Sequence, residues 1–66
     1  MKITFKQTLI KGVWKRAFVE ACITSNVIPN VGDHVKIGSI DGRVDDRSID
    51  YNSNNITVLL YPIEIN

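Results

Sequence analysis

Three basic residues surround two aromatic residues near the start of the chain. Lys11, Lys15 and Arg16 lie within a few positions of Trp14 and Phe18. Basic charge beside aromatic faces is what single-stranded nucleic acid needs, because phosphates take the charge and bases stack on the rings. The same group suits a protein interface, since tryptophan is a frequent anchor of such contacts. We therefore predict a partner-binding patch here.

Residues able to act as a catalytic base or nucleophile are few. His34 would need an orienting carboxylate and a nucleophile nearby, and the adjacent Asp33 points to the opposite face of a strand. Cys22 lies in an apolar segment, which disfavours the reactive thiolate. We interpret His34 as a solvent-facing strand residue and Cys22 as a small core residue, and we expect no enzymatic activity.

The acidic residues of the second half could be read as a metal site: Asp41, Asp45, Asp46 and Asp50. Neighbouring strand residues point to opposite faces, and the spacing of a calcium loop is absent. One histidine and one cysteine do not suffice for a zinc site. We predict turn chemistry and salt bridges to Arg43 and Arg47 for these carboxylates. We expect no metal and no cofactor, since the glycines are dispersed as turn residues and form no phosphate cradle.

The elements that must position these groups are β-strands. A turn with Pro29 and Gly32 leads into a strand in which Val35 and Ile37 alternate with polar residues. The turn at 39–42 opens a further strand. Residues 2–10 alternate in the same way and predict a first, half-buried strand. Strands joined by such short turns predict an antiparallel β-meander.

Residues 14–24 fit two structures. On a helix Trp14 and Phe18 would share a face, whereas on a strand Ala17, Val19 and Ile23 would do so. No strong N-cap and no glycine C-cap bracket a helix, and a two-turn helix is weak alone. We prefer a strand and keep one short helix as the alternative.

A change of parity predicts a bulge or sharp bend within 45–48. Val44 is an even position, yet Ile49 and Tyr51 are odd, so no regular strand can bury both sets on one face. A bent strand can serve two sheets of a small barrel. Residues 56–61 are apolar on both faces, which predicts a central strand or one that faces a partner. Pro62 should interrupt that strand.

Segment 29–44 carries the pattern P-x-V-G-D-x-V-x-I, followed by D-G-R-V. It resembles the second half of SH3-like small β-barrels, where a Gly-Asp turn leads into one strand and a Gly-x-Val step starts the next. The resemblance covers residues 29–44 and part of the following apolar strand. It implies an all-β, five-stranded SH3-like barrel or meander. It implies no activity, because this fold hosts unrelated functions.

A chain of 66 residues allows a single domain, 1–66, with a thin core, since a chain of this size buries about 60% of its unfolded surface. With one cysteine there is no internal disulfide, so self-association is the remaining support and we expect a homo-oligomer. No signal-peptide pattern and no membrane-length apolar run are visible, which predicts a cytoplasmic protein. The abundance of Ile, Lys and Asn suggests a bacterial, phage or mobile-element gene.

The net charge of +1 is unevenly distributed. Residues 1–31 are basic on balance and residues 32–66 are acidic, which indicates either a charged partner or two halves whose charges intermix on folding. We predict a non-enzymatic protein-interaction or assembly module, with itself and another protein as partners. The alternative is a small nucleic-acid-binding β-barrel, for which a pI of about 7.9 is low.

Overall fold

The computed structural model describes residues 1–13 and 15–65, and every regular element within them is a β-strand. The strands are β1 (Lys2–Lys11), β2 (Lys15–Thr24), β3 (His34–Ile37), β4 (Ile40–Asp50), β5 (Asn55–Leu60) and β6 (Ile63–Ile65). They form one sheet that curls into half a barrel. The all-β class is confirmed, and residues 15–24 form a strand. There are six strands among the described residues because the segment after Pro62 forms a strand of its own.

Strand β1 organises the sheet. It pairs antiparallel with β2 along its whole length, from Lys2 opposite Thr24 to Lys11 opposite Lys15. On its other side it runs parallel, first to β5 and then to β6. The antiparallel meander therefore holds for β1–β2 and for β3–β4–β5, but these two units are joined by a parallel pairing. The resulting order is β2-β1-β5-β4-β3.

The core lies on the inner face of the curled sheet, which carries the odd-numbered residues of β1 and β2. Ile3 lies opposite Ile56, and Phe5 lies opposite Val58, so β1 and β5 bury their apolar side chains together. Strand β5 is central, between β1 and β4, as its apolar residues on both faces predict. The buried apolar side chains are Ile3, Phe5, Ile40, Val44, Ile56, Val58 and Leu60.

The predicted bulge in β4 is confirmed. The register with β5 shifts between Val44 and Asp46, which makes Asp45 the extra residue. Residues up to Arg43 pair with β3, and residues from Val44 onwards pair with β5. The strand thus changes partner where it bends, because the extra residue increases the local twist.

Gln7 closes the core at the point where β1 changes its neighbour from β5 to β6. Its side chain is 3% exposed, and its Nε2 donates to the carbonyl oxygens of Asp41 and Tyr61 at 3.0 and 3.2 Å. Pro62, which follows, has no N–H to offer the sheet. The amide of Gln7 therefore links β1 to β4 and to the segment between β5 and β6. A Cβ on Gly42 would stand 2.6 Å from this Nε2, so Gly42 serves close packing within β4 and not a turn.

The molecule is elongated, with extents of 38 × 21 × 19 Å and a radius of gyration of 12.3 Å. A compact chain of this length would have a radius of gyration of about 10.8 Å. A ten-residue strand spans about 33 Å, so the β1–β2 hairpin accounts for the long axis. The part of it beyond Gln7, residues 8–11 and 15–18 with β6 alongside, is the distal arm.

Asp50 organises the turn between β4 and β5. Its Oδ1 accepts hydrogen bonds from the backbone N–H groups of Asn52 and Ser53, at 3.0 and 3.4 Å. The Ser53 side chain and then these two amides hold the pKa of Asp50 below its ordinary value of 3.8. Asn54 completes the turn with a φ of 57°, as expected for an asparagine-rich loop.

Replacing Ser53 with alanine should raise the pKa of Asp50 towards its ordinary value, because the Ser53 side chain is the largest of the influences that lower this pKa. A lowered folded pKa means that this carboxylate stabilises the fold above its unfolded pKa, and that the contribution is lost as pH falls through the folded pKa. An NMR titration of the Asp50 carboxyl carbon measures the change. Ser39→Ala, in the β3–β4 turn, is the matched control. An unchanged Asp50 titration in the Ser53 variant would contradict the assignment.

Candidate functional site

The pairing in the distal arm aligns side chains in rows across three strands. Lys11 lies opposite Lys15 on one side and opposite Ile65 on the other. Residues that are opposite each other in a sheet point to the same face. The inner face of the arm therefore carries two successive rows: Lys15, Lys11 and Ile65, and then Ala17, Leu9 and Ile63.

These rows line a groove of about 450 Å³, which we call the basic groove. Its lining residues are Leu9, Lys11, Lys15, Arg16, Ala17 and Ile65. The aliphatic residues form the floor and the three cations form the rim. Ile65 keeps 41% of its surface exposed, and its strand neighbour Ile63 keeps 36%. The inner face is thus buried from Ile3 to Gln7 and open to solvent in the distal arm.

Among the residues that the structure describes, the cations of the basic groove have no acidic partner within 4 Å. Lys11 and Lys15 are directly opposite each other on adjacent strands, an arrangement that is unfavourable for like charges. Within residues 1–13 and 15–65, the one ion pair closer than 4 Å joins His34 and Asp41. An anionic group that enters the groove would therefore relieve repulsion as well as gain attraction.

The sequence patch around Lys11 is divided between the two faces of the sheet. Lys11, Lys15 and Arg16 come together in the basic groove. Phe18, an even-numbered residue, is 80% exposed and lines a separate depression of about 320 Å³ that includes Lys6 and Leu59. Trp14 lies outside the described residues, so its part in the patch stays a prediction.

His34 is exposed, as the alternation of its strand predicts. Its Nε2 contacts Oδ1 of Asp41, and the two side chains are 59% and 52% exposed. The adjacent Asp33 instead accepts a hydrogen bond from the backbone N–H of Asn30 at 2.9 Å. Asp41 could not be identified from sequence as the partner, because the contact runs diagonally across the β3–β4 hairpin. An ion pair this exposed contributes little.

The prediction of a core position for Cys22 is wrong. The thiol is exposed, and its Sγ lies 3.4 Å from Oγ1 of Thr4. The physical reason is parity, since even-numbered residues of β2 face outwards. Its neighbour Ala21 packs against the core in its place.

The predicted salt bridges of the aspartates to Arg43 and Arg47 are also wrong. Arg43 donates to the carbonyl oxygen of Gly32 at 3.1 Å, and Arg47 donates to that of Pro29 at 3.0 Å. The loop before β3 passes β4 and offers its carbonyl groups to both guanidinium groups. Turn chemistry is confirmed for Asp50, through the hydrogen bonds already described. Among the residues that the structure describes, no group of three metal-ligating side chains is close enough to hold an ion.

Comparison with protein-family models, with curated proteins and with solved structures found no match. In the described part of the chain, no helix is long and apolar enough to cross a membrane. The basic groove therefore carries the functional inference. Its aliphatic floor, from Leu9, Ala17 and Ile65, is absent from the patch predicted from sequence. The signal that could have found it is the hairpin register, which places Ala17 opposite Leu9.

Proposed function

We propose that this protein is a non-enzymatic interaction module, and that its basic groove docks an acidic and apolar segment of another protein. The observation that carries the proposal is an exposed aliphatic floor bordered by three cations, with no carboxylate among the described lining residues. An apolar surface of this kind is stabilised when a partner covers it. The cations select against basic partners and in favour of acidic ones.

A protein segment fits the groove better than single-stranded nucleic acid does. Nucleic acid needs aromatic faces and cations on one surface, so that bases stack while phosphates are neutralised. Here Phe18 and the pair Lys11 and Lys15 occupy opposite faces of the sheet, and the floor beside the lysines is aliphatic. The pI of about 7.9 is also below that of most nucleic-acid-binding domains.

Reversing the charge of both lysines, Lys11→Glu with Lys15→Glu, should weaken partner binding by at least about tenfold, or about 1.4 kcal/mol. The probe is a displayed library of random peptides, selected on the wild-type protein. Enriched peptides should combine Asp or Glu with Leu, Ile or Phe, and the double variant should no longer retain them. Isothermal titration with the enriched peptides gives the affinities.

The matched control makes the same change of charge elsewhere, at Lys2 and Lys36, and should keep the affinity. Equal losses in both double variants, or enriched peptides without carboxylates, would contradict the proposal. Binding to mixed single-stranded oligonucleotides that falls steeply with salt would instead support the nucleic-acid alternative. That alternative is removed if no binding is seen at low salt.

Three further attributes belong to this proposal: the type of barrel, the compartment and the origin of the gene. The resemblance of residues 29–44 to SH3-like barrels is supported by the turn at Gly32, whose φ is 94°, and by the β3–β4 hairpin that follows. An exposed, unpaired thiol at Cys22 suits a reducing compartment, which supports the cytoplasm as the site of action. The composition rich in Ile, Lys and Asn is the support for a bacterial or phage origin.

A further inference from the structure

The outer edge of β2 is long and unprotected. The strand has ten residues and lies at one end of the sheet, with β1 as its neighbour. Its register with β1 is continuous from Lys15 to Thr24, without a bulge, and it contains no proline and no glycine. The opposite edge strand, β3, has four residues. Long, regular edges are templates for pairing with another chain, and proteins commonly blunt them.

We propose that this edge pairs antiparallel with β2 of a second copy, with Phe18 opposite the partner's Phe18. This register places Arg16 of each copy opposite the partner's Glu20, so that two ion pairs flank a pair of aromatic rings. All of these residues are even-numbered, which places them on the outer side of the strand, and Arg16 also borders the basic groove near the end of the arm. The inference goes beyond the proposed function, because it concerns strand pairing at the edge of the sheet, and Arg16 is the one residue that it shares with the basic groove.

The charges of β2 select this register. A two-fold axis perpendicular to the sheet keeps outer faces together, so even-numbered residues must lie opposite even-numbered residues. Centring the axis on Val19 places Glu20 opposite Phe18, and centring it on Glu20 places two carboxylates against each other. Centring it on Ala17 places Arg16 opposite Phe18. Within β2, the axis at Phe18 alone brings unlike charges opposite each other.

The exposure of the three residues supports the same arrangement. Phe18 is 80% exposed in the single chain, and a facing aromatic ring on the adjacent strand would cover part of it. Neither Arg16 nor Glu20 has an oppositely charged side chain within 4 Å in the described part of the chain. Both are therefore available to a second copy. A contact of one strand on each side is small, so the dimer should be weak and reversible.

The proposed dimer is tested by two variants, each of which reverses the charge of one residue of the proposed ion pair. Arg16→Glu alone places like charges opposite each other in the homodimer, and so does Glu20→Arg alone. Each variant should be monomeric at about 100 μM by sedimentation, where the wild type is dimeric. An equimolar mixture of the two should form a heterodimer, because Glu residues of one copy then face Arg residues of the other. Lys2→Glu, an even-numbered position of β1 that lies opposite Thr24, is the control and should leave the wild-type dimer intact.

A cross-link checks the axis independently of charge. Phe18→Cys in a Cys22→Ser background should be joined by a short bis-maleimide, because the two introduced thiols lie opposite each other. The wild-type Cys22 thiols would be separated by about 26 Å in this register and should not react together.

A monomeric wild type at about 100 μM would overturn the proposal. Dimers of unchanged strength in both charge variants, or cross-linking through Cys22 alone, would overturn it as well. Arg16→Glu removes one rim cation of the basic groove, whereas Glu20→Arg and Phe18→Cys alter no residue that lines it, so a failure in these two variants is distinguishable from a failure of the basic groove.

Discussion

Replacing Phe5 with alanine should lower the free energy of unfolding by about 3–5 kcal/mol. The ring is 2% exposed and is among the largest fully enclosed side chains, so its loss leaves a cavity that the strands around it cannot close. A domain of this size has a stability of only a few kcal/mol. We therefore expect the variant to be largely unfolded at 25 °C, as measured by circular dichroism in a urea titration.

The second phenylalanine provides a matched control. Phe18 is 80% exposed, so Phe18→Ala should change the free energy of unfolding by no more than about 0.5 kcal/mol. Both free energies of unfolding should be measured at low micromolar concentration, where the proposed weak dimer would not contribute. Should Phe5→Ala fail to express, Phe5→Leu keeps more of the volume and should cost less than the full truncation. Equal urea midpoints for Phe5→Ala and Phe18→Ala would show that the inner face is not the core.

Replacing Gly42 with alanine should lower the free energy of unfolding by about 1–3 kcal/mol, although alanine adds one methyl group. The methyl carbon would stand 2.6 Å from Nε2 of Gln7, so the glutamine amide must move away. Its hydrogen bonds to the carbonyl oxygens of Asp41 and Tyr61 would then be lost in a part-buried site. Urea titrations of the two proteins measure the difference.

A double-mutant cycle separates this mechanism from a general effect of alanine in β4. In a Gln7→Ala background the amide is absent, so Gly42→Ala should cost little or should partly fill the space that the glutamine vacated. The two substitutions should therefore be coupled by about 0.5–3 kcal/mol. Additive losses would show that Gly42 and Gln7 do not interact.

Alternation of apolar and polar residues was sufficient to predict most strands, because it reports directly which face of a strand is buried. The shift in parity between Val44 and Ile49 predicted the bulge that the register shows at Asp45. The apolar residues on both faces of β5 predicted its central place. The parallel pairing of β1 with β5 and β6 was not predictable in this way. Alternation contains no information on strand direction or on which distant strand is the neighbour.

For the candidate site, the sequence predicted the three cations of the basic groove but not the aliphatic residues that form its floor. Lys11, Lys15 and Arg16 are close in the chain and remain close across a tight hairpin. Ile65 reaches the groove through β6, whose partner could not be inferred from a three-residue segment. Phe18 was grouped with the lysines because it is near them in sequence, but its parity in β2 places it on the outer face. The misplacement of Cys22 has the same cause.

The parallel contact between β1 and β5 determines when the domain can fold during synthesis. Ile3 faces Ile56, and Phe5 faces Val58, so residues made first acquire their neighbours from residues made more than fifty positions later. The β1–β2 hairpin is local and can close early, whereas contacts of such sequence separation form slowly. Until β5 leaves the ribosome, the nascent hairpin presents Ile3 and Phe5 to solvent, a state prone to aggregation. The hairpin that supplies most of the basic groove can thus form before the core that supports it, and before β6 adds Ile65 to the groove.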